Sequence, residues 1–415
     1  MGETRISGLL ESGDVHSTAG ALRALGASLE ALGPGQWRVR GTGVGNWTSP
    51  AEPLDFGNSG TGSRLVMGAM ATTAMTAVFT GDASLRSRPM ARVVEPLKVF
   101  GVRYEGQGPG AKMPLTLAGA GNAEAARVHV TTASAQVKSA LLLAALNARG
   151  VTRIRQDVLT RDHSEKMLAA FGAAITVTAL ADGGEEIALS GPANLRGCVI
   201  EVPRDPSSAA FALVAALIVP GSVVELPGIL LNPRRAGLIE TLMEMGADIT
   251  IANRRVSGGE EIGDLTARHG PLKGVTVPAS RSAAMIDEYP VLAVAAAFAN
   301  GETRMLGLEE LRVKESDRLA AVAAGLAANG VPHDIAGDDL IVRGMGPAGT
   351  AGSVPGGGMV ATHMDHRIAM SFLTMGLAAQ NPVTVDDVTM IATSFPDYMD
   401  LMKSLGARMD GAEPA

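Results

Sequence analysis

Cysteine occurs once in the 415 residues, at Cys198. A single thiol excludes an intramolecular disulfide and a cysteine-based zinc site. It sits in RGCVIEV, an alternating apolar stretch, which predicts a buried strand thiol. Aromatic residues make up only 3% of the chain, so its core has to be assembled from Ala, Leu, Val and Met. Long apolar runs are missing too: the stretch 209–219 ends at Pro220, short of the roughly 20 residues that a membrane helix needs. No signal-peptide pattern stands at Met1. There is no basic excess, since 35 Lys and Arg face 42 Asp and Glu. That argues against a nucleic-acid surface but leaves room for a local cationic pocket. Walker A and strand-following GxGxxG patterns are absent, which excludes the usual nucleotide sites. The seven histidines show no HxxxH spacing, and His363 and His366 read as supports of a site, not as metal ligands. The expectation is a soluble, cytoplasmic, monomeric protein without metal, cofactor, nucleic-acid partner or membrane contact.

What the chain does contain is a repeat. Gly followed by Ala or Val closes a helical pattern six times, at Gly26, Gly101, Gly172, Gly246, Gly330 and Gly406, with an apolar residue before it at all but Gly330, where Asn329 stands. The spacing is 71 to 84 residues, and each glycine stands where a helix C′ residue needs positive φ. A strand-like run precedes each of these helices, and a hairpin-like pair with Gly or Asp in its turn follows the first five. A second helix with a polar start and a small-residue body opens five of the units, as in GNSGTGSRLVMGAMA and DHRIAMSFLTMGLAA. The repeat predicts an α/β protein of six βαβαββ units, three per domain, with domains at 1–203 and 204–415. The first unit has no opening helix and the sixth has no closing hairpin. The expectation is therefore a missing N-terminal segment of roughly 20–45 residues, judged from typical element sizes.

The stretch LRVKESDRL at 311–319 gathers Arg312, Lys314, Glu315, Asp317 and Arg318 ahead of an Ala-rich helix. A charge run ordinarily marks a solvated face. Here it sits at a helix start, with Ser316 as the expected N-cap, and helix N-termini favour anions. Repeated polar helix starts aimed at one cleft would make an anion trap.

Eight motifs carry a resemblance: LDFGNSGTGSRL, GDASLRSRPM, SAQVKSALLLAAL, LTRDHSEKM, IDEYPVLAVAAAFA, LRVKESDRLAAV, THMDHRIAMSF and TSFPDYMDLM. In order and spacing, over nearly the whole chain, they resemble the enolpyruvyl transferase family, closest to the bacterial branch often called class II that acts on shikimate 3-phosphate. The resemblance implies a fold of two domains of three βαβαββ units each. It also implies transfer of the enolpyruvyl group of phosphoenolpyruvate to the 5-hydroxyl of shikimate 3-phosphate, with release of phosphate.

By the same resemblance, Asp287 takes the 5-hydroxyl proton and Glu315 helps protonate the methylene carbon of phosphoenolpyruvate. Shikimate 3-phosphate is contacted by Ser134, Ala135, Gln136, Arg161, Asp287 and Lys314. Phosphoenolpyruvate is contacted by Asn58, Gly60, Arg88, Gln136, Arg318 and Arg367. The family's N-terminal Asp-Lys-Ser-Ile-Ser-His-Arg pattern is not found here, and Thr393-Ser394 precede Phe395-Pro396-Asp397 where the family has a lysine. A catalytically impaired fragment is therefore a competing reading. Relatives acting on UDP-N-acetylglucosamine use a reactive loop cysteine, which the strand pattern around Cys198 does not match. The family's inhibitor glyphosate, slightly longer than phosphoenolpyruvate, occupies the same site, and tolerant class II members carry Ala at the position of Gly60.

Overall fold

The computed structural model describes residues 2–132, 134–346 and 353–411. The chain divides into two compact units. One comprises Met1–Val202 with Val256–Glu260, the other Pro203–Arg255 with Glu261–Ala415.

The first unit contains three four-stranded sheets with one strand order. In the sheet of the second repeat, Leu54–Asp55 pairs in parallel with Thr76–Thr80, which pairs antiparallel with Lys112–Ala118, and Arg103–Gln107 lies at the edge. Arg127–Val130, Gly150–Gln156, Glu185–Gly191 and Ile175–Ala179 repeat this order. In the first sheet the opening place beside Glu3–Ser7 is filled from the far end of the unit, by Val199–Glu201 in parallel register. Cys198 lies just before this strand and is only half-buried, not buried as its apolar setting predicts. The reason is that Val199–Glu201 is an edge strand, so its alternation does not turn one face to a core; Val199 itself is 77% exposed.

Two inner helices, Gly60–Met70 and Ala135–Ala145, pack face to face within the core of this unit. Gly68 permits that approach, because a Cβ there would stand 2.4 Å from the carbonyl oxygen of Ala140. Beside them an apolar groove opens, lined by Ile6, Trp47, Leu143, Leu146, Phe171 and Leu195 among others.

The second unit repeats the scheme. Thr276–Val277, Asn300–Met305, Asp339–Met345 and His333–Ala336 form a sheet with the same strand order. Val223–Leu230 heads a three-stranded version, and the last repeat keeps only the parallel pair Met359–Val360 and Thr384–Val385. Three inner helices, Pro206–Ile218, Tyr289–Ala297 and His366–Gly376, pack on one another in its core. The first two are apolar nearly all round, built mainly of Ala, Val and Leu, while His366–Gly376 is amphipathic and turns Ile368, Met370, Phe372 and Met375 inward, which is how a core with few aromatics is filled.

All six glycines expected after helices have positive φ, between 72° at Gly330 and 99° at Gly26. The helix Arg318–Ala328 is capped one residue later than expected. Asp317, not Ser316, accepts from the Ala320 N–H at 3.0 Å. The Ser316 hydroxyl is drawn to Asp365 instead, 3.0 Å away.

Two glycines inside helices should respond to alanine with opposite signs. Gly20 is exposed and a Cβ there meets nothing within 4 Å. Gly20→Ala should stabilise the protein by about 0.5–1 kcal/mol through helix propensity. At Gly325 a Cβ would come within 2.2 Å of the buried Phe372 ring, so Gly325→Ala should destabilise by about 1–3 kcal/mol through overpacking. Urea unfolding of the two variants checks both.

Candidate functional site

In the first unit the candidate residues lie at the starts of the two inner helices. Ser59 caps Gly60–Met70 and Ser134 caps Ala135–Ala145, each through its hydroxyl. The first-turn N–H groups of a helix have no partner within it, so these starts are polarised for anions. Gln136, at the second residue of its helix, accepts from Arg64 Nη1 at 2.6 Å and donates to the Thr61 hydroxyl at 2.7 Å. Arg92 donates to the Ser134 hydroxyl at 2.8 Å. Arg88 donates to the Asn58 side-chain oxygen at 2.7 Å, and Asn58 in turn donates to Asp82 at 2.7 Å. The Asp82 carboxyl, which also accepts from the Leu85 N–H, is lowered by these bonds. Gly60 faces the same arginines, for a Cβ on it would stand 3.0 Å from Arg88 Nη1 and 3.7 Å from Arg64 Nη1. Arg161 sits in the turn before the helix His163–Ala170, and its carbonyl accepts from Lys138 Nζ at 2.9 Å.

The structure thus brings Asn58, Gly60, Arg88, Ser134, Ala135 and Gln136 together. It adds two residues that the sequence reading missed, Arg64 and Arg92. Arg64 stands four residues after Gly60, one helical turn on, which is the signal that could have found it. It is 8% exposed, and its Nε has no hydrogen-bond partner. Burial, then the charges of Arg92 and Arg88, lowers its pKa. Among the described residues, Arg64, Arg88 and Arg92 make no ion pair with a carboxylate. Three guanidinium groups left in this state suit an anionic ligand with several oxygens.

In the second unit the site is built around Arg318. Its side chain is fully buried, yet it is charged. Nε donates to Asp365 Oδ2 at 2.7 Å, Nη1 to Asp287 Oδ1 at 3.0 Å, and Nη2 to Glu315. Burial alone would lower the Arg318 pKa, but the bonds and charges of Asp365, Glu315 and Asp287 raise it. Lys314 Nζ lies 3.7 Å from Asp287 Oδ1. Asp365 also caps His366–Gly376 by accepting from the Arg367 N–H at 2.9 Å. Arg367 Nη1 donates to the Asp287 carbonyl at 3.1 Å and stands 3.6 Å from Glu288 Oε1. Glu288 is buried and accepts from the Ser207 hydroxyl, which accepts from Arg235 at 2.6 Å. Burial raises the Glu288 carboxyl against the pull of Arg235 and Arg367.

All five residues expected in this unit, Asp287, Lys314, Glu315, Arg318 and Arg367, fall in one network. The sequence reading missed Asp365, Glu288, Ser207 and Arg235. Asp365 had a legible signal, an Asp directly before an amphipathic helix. Arg318 is wholly engaged by carboxylates, so a ligand reaching it has to displace Glu315, the exposed partner at 53%. His366 begins the same helix, and burial with the neighbouring Arg367 charge lowers its pKa. One group of metal-type donors exists among the described residues, Asp162, His163 and Glu260. Lys166 Nζ lies 3.7 Å from Asp162 and 3.4 Å from Glu260, so an ammonium already supplies positive charge there.

Comparison with known proteins identifies the family. The family model described as EPSP synthase (3-phosphoshikimate 1-carboxyvinyltransferase) matches residues 1–402. The 3-phosphoshikimate 1-carboxyvinyltransferase of Methylobacterium radiotolerans is 59% identical over 411 residues, covering 99% of this chain and 90% of its own length. That of Parvibaculum lavamentivorans is 58% identical with the same coverage. Among solved structures, EPSP synthase from Acinetobacter baumannii superposes with a TM-score of 0.91 at 40% identity, covering 97% of this chain and 90% of that one. The enolpyruvyl transferase NikO from Streptomyces tendae shares the fold, with a TM-score of 0.70 at 20% identity. The chain therefore belongs to the EPSP synthase family, as an enzyme of the shikimate pathway that transfers the enolpyruvyl group of phosphoenolpyruvate to the 5-hydroxyl of shikimate 3-phosphate.

Proposed function

We propose that Asp287 and Glu315 carry the two proton transfers of this reaction. The observation behind the assignment is the Arg318 network, which gathers both carboxylates and Lys314 in one place. Asp287 takes the proton of the 5-hydroxyl, with two cations against its carboxylate. Glu315, half in solvent, delivers a proton to the methylene carbon of phosphoenolpyruvate and can regain one from water. Lys314 contacts shikimate 3-phosphate, as do Ser134, Ala135, Gln136 and Arg161 in the first unit. Arg318 and Arg367 grip phosphoenolpyruvate, as do Asn58, Gly60, Arg88 and Gln136. Arg64 and Arg92 join these residues as sources of positive charge. The enzyme acts as a cytoplasmic monomer without metal, nucleic acid or membrane contact. No helix among the described residues is long and apolar enough to cross a membrane.

Phosphate release with both substrates tests the assignment. Asp287→Asn should lower kcat by about 10²–10⁴-fold, the worth of a general base, while the fold stays intact by circular dichroism. A variant that keeps parental turnover removes Asp287 from this role.

Gly60 should set discrimination against glyphosate. A Cβ at this position presses on Arg88, and such crowding costs about 1–3 kcal/mol. Gly60→Ala should raise the glyphosate inhibition constant by roughly 10- to 100-fold, at 1.4 kcal/mol per decade. The KM for the shorter phosphoenolpyruvate should rise less. Equal weakening of both ligands would rule out a steric origin.

A further inference from the structure

Lys138 and Glu165 take no part in the steps above, yet they form a deeply buried ion pair. Their side chains are 0% and 4% exposed, and Lys138 Nζ lies 2.6 Å from Glu165 Oε1. The same Nζ donates to the carbonyl oxygen of Arg161 at 2.9 Å. Lys138 stands two residues after Gln136 and one turn beyond Ser134, on the helix Ala135–Ala145. Glu165 is on the helix His163–Ala170, which starts two residues after Arg161. The hydroxyls of Ser139 and Ser164, 2.7 Å apart, make a second link between these helices.

Burying two charges costs desolvation that their attraction repays only in part, and an apolar pair of similar volume is often as stable. Burial accordingly raises the Glu165 carboxyl, with Lys138 opposing the rise. Stability alone therefore gives no reason for this pair. An apolar pair would, however, supply no donor to the Arg161 carbonyl. With the carbonyl pinned, the backbone of Arg161 is fixed against the helix that carries Ser134 and Gln136. A shift of about 1 Å at such a point is enough to impair ligand positioning.

We propose that Lys138 is a positioning residue for shikimate 3-phosphate, acting through the backbone of Arg161. The proposal rests on the assignment of Arg161, Ser134 and Gln136 to that substrate. The test uses the full chain with Lys138→Met and Glu165→Met combined, which keeps the core apolar and free of an unpaired charge. Its thermal midpoint should equal or exceed the parent's. Its Kd for shikimate 3-phosphate, measured by titration calorimetry, should rise about tenfold, the order of one hydrogen bond from a charged donor. Phosphoenolpyruvate titrated into variant already saturated with shikimate 3-phosphate should bind as to the parent. A folded double variant with parental Kd for shikimate 3-phosphate overturns the proposal. So does a variant in which the midpoint falls and both ligands weaken together, since that is the mark of packing alone. Arg161→Ala separates the two levels of the argument. If it binds shikimate 3-phosphate like the parent, the substrate assignment itself is at fault; if it binds weakly while the double variant does not, only the role of Lys138 falls.

Discussion

The second unit's site depends on one buried guanidinium. Arg318 has no solvent contact, and an unpaired charge at such a place would cost several kcal/mol, roughly 3–5 when one partner of a buried pair is removed. It is held because three carboxylates converge on it from separate parts of the chain: Asp287 from the 3-10 turn before Tyr289–Ala297, Glu315 from its own loop, and Asp365 from the start of His366–Gly376. Asp365 has a double duty, since one of its oxygens also caps that helix through the Arg367 N–H. The position of Arg367, the burial of Arg318 and the placement of Asp287 are therefore one structural fact. The pH behaviour follows from it. Burial pushes the Asp365 carboxyl up, but the hydrogen bond and charge of Arg318 outweigh burial and hold it low. An acid with a depressed folded pKa contributes stability above its unfolded value, and that contribution is lost as pH falls through the folded one. Glu288 and Glu165, raised by burial, act in the opposite sense: their contribution is present below the unfolded value and fades as pH rises through the folded one.

The first unit solves the converse problem. Among the described residues its three arginines make no ion pair with a carboxylate, and Asp82 reaches Arg88 only through Asn58, so a ligand anion can balance them. The cost of an empty site falls on Arg64, which is buried and keeps an unsatisfied Nε, and whose pKa is lowered by burial and by the charges of Arg92 and Arg88. The same arrangement favours a polyanion once it arrives, since guanidinium groups fork onto phosphate and carboxylate oxygens.

Features fixed by local chemistry were legible in the sequence. The six glycines announce helix ends because only a residue without Cβ tolerates positive φ there. The five small-residue helices announce themselves by length and by polar starts. The residues that hold the site in place were harder to see, because their partners lie far away along the chain. Ser316 looks like a cap, but Asp365, 49 residues on, captures its hydroxyl and leaves the cap to Asp317. Glu288 reads as one more charge beside Asp287 until folding buries it against Ser207, 81 residues away. Cys198 misleads for a related reason: alternation predicts a strand correctly but cannot say that the strand lies at a sheet edge.

The repeated helix starts differ between the units in one chemically decisive way. In the first unit the caps are the neutral hydroxyls of Ser59 and Ser134; in the second, Asp205 and Asp365 cap two of the three inner helices. A neutral cap satisfies an N–H but leaves the positive end of the helix dipole uncompensated, so it can still attract an anion. An aspartate cap compensates it and can hold a cation as well: Asp205 holds Arg235 through the oxygen that also accepts from the Ser207 N–H, and Asp365 holds Arg318 chiefly through the oxygen that does not cap. The same βαβαββ element can thus yield two different surfaces. Serine caps leave helix starts that favour phosphate and carboxylate groups. Aspartate caps make a scaffold of fixed cations, and Asp287 and Glu315 are set against one of them, Arg318.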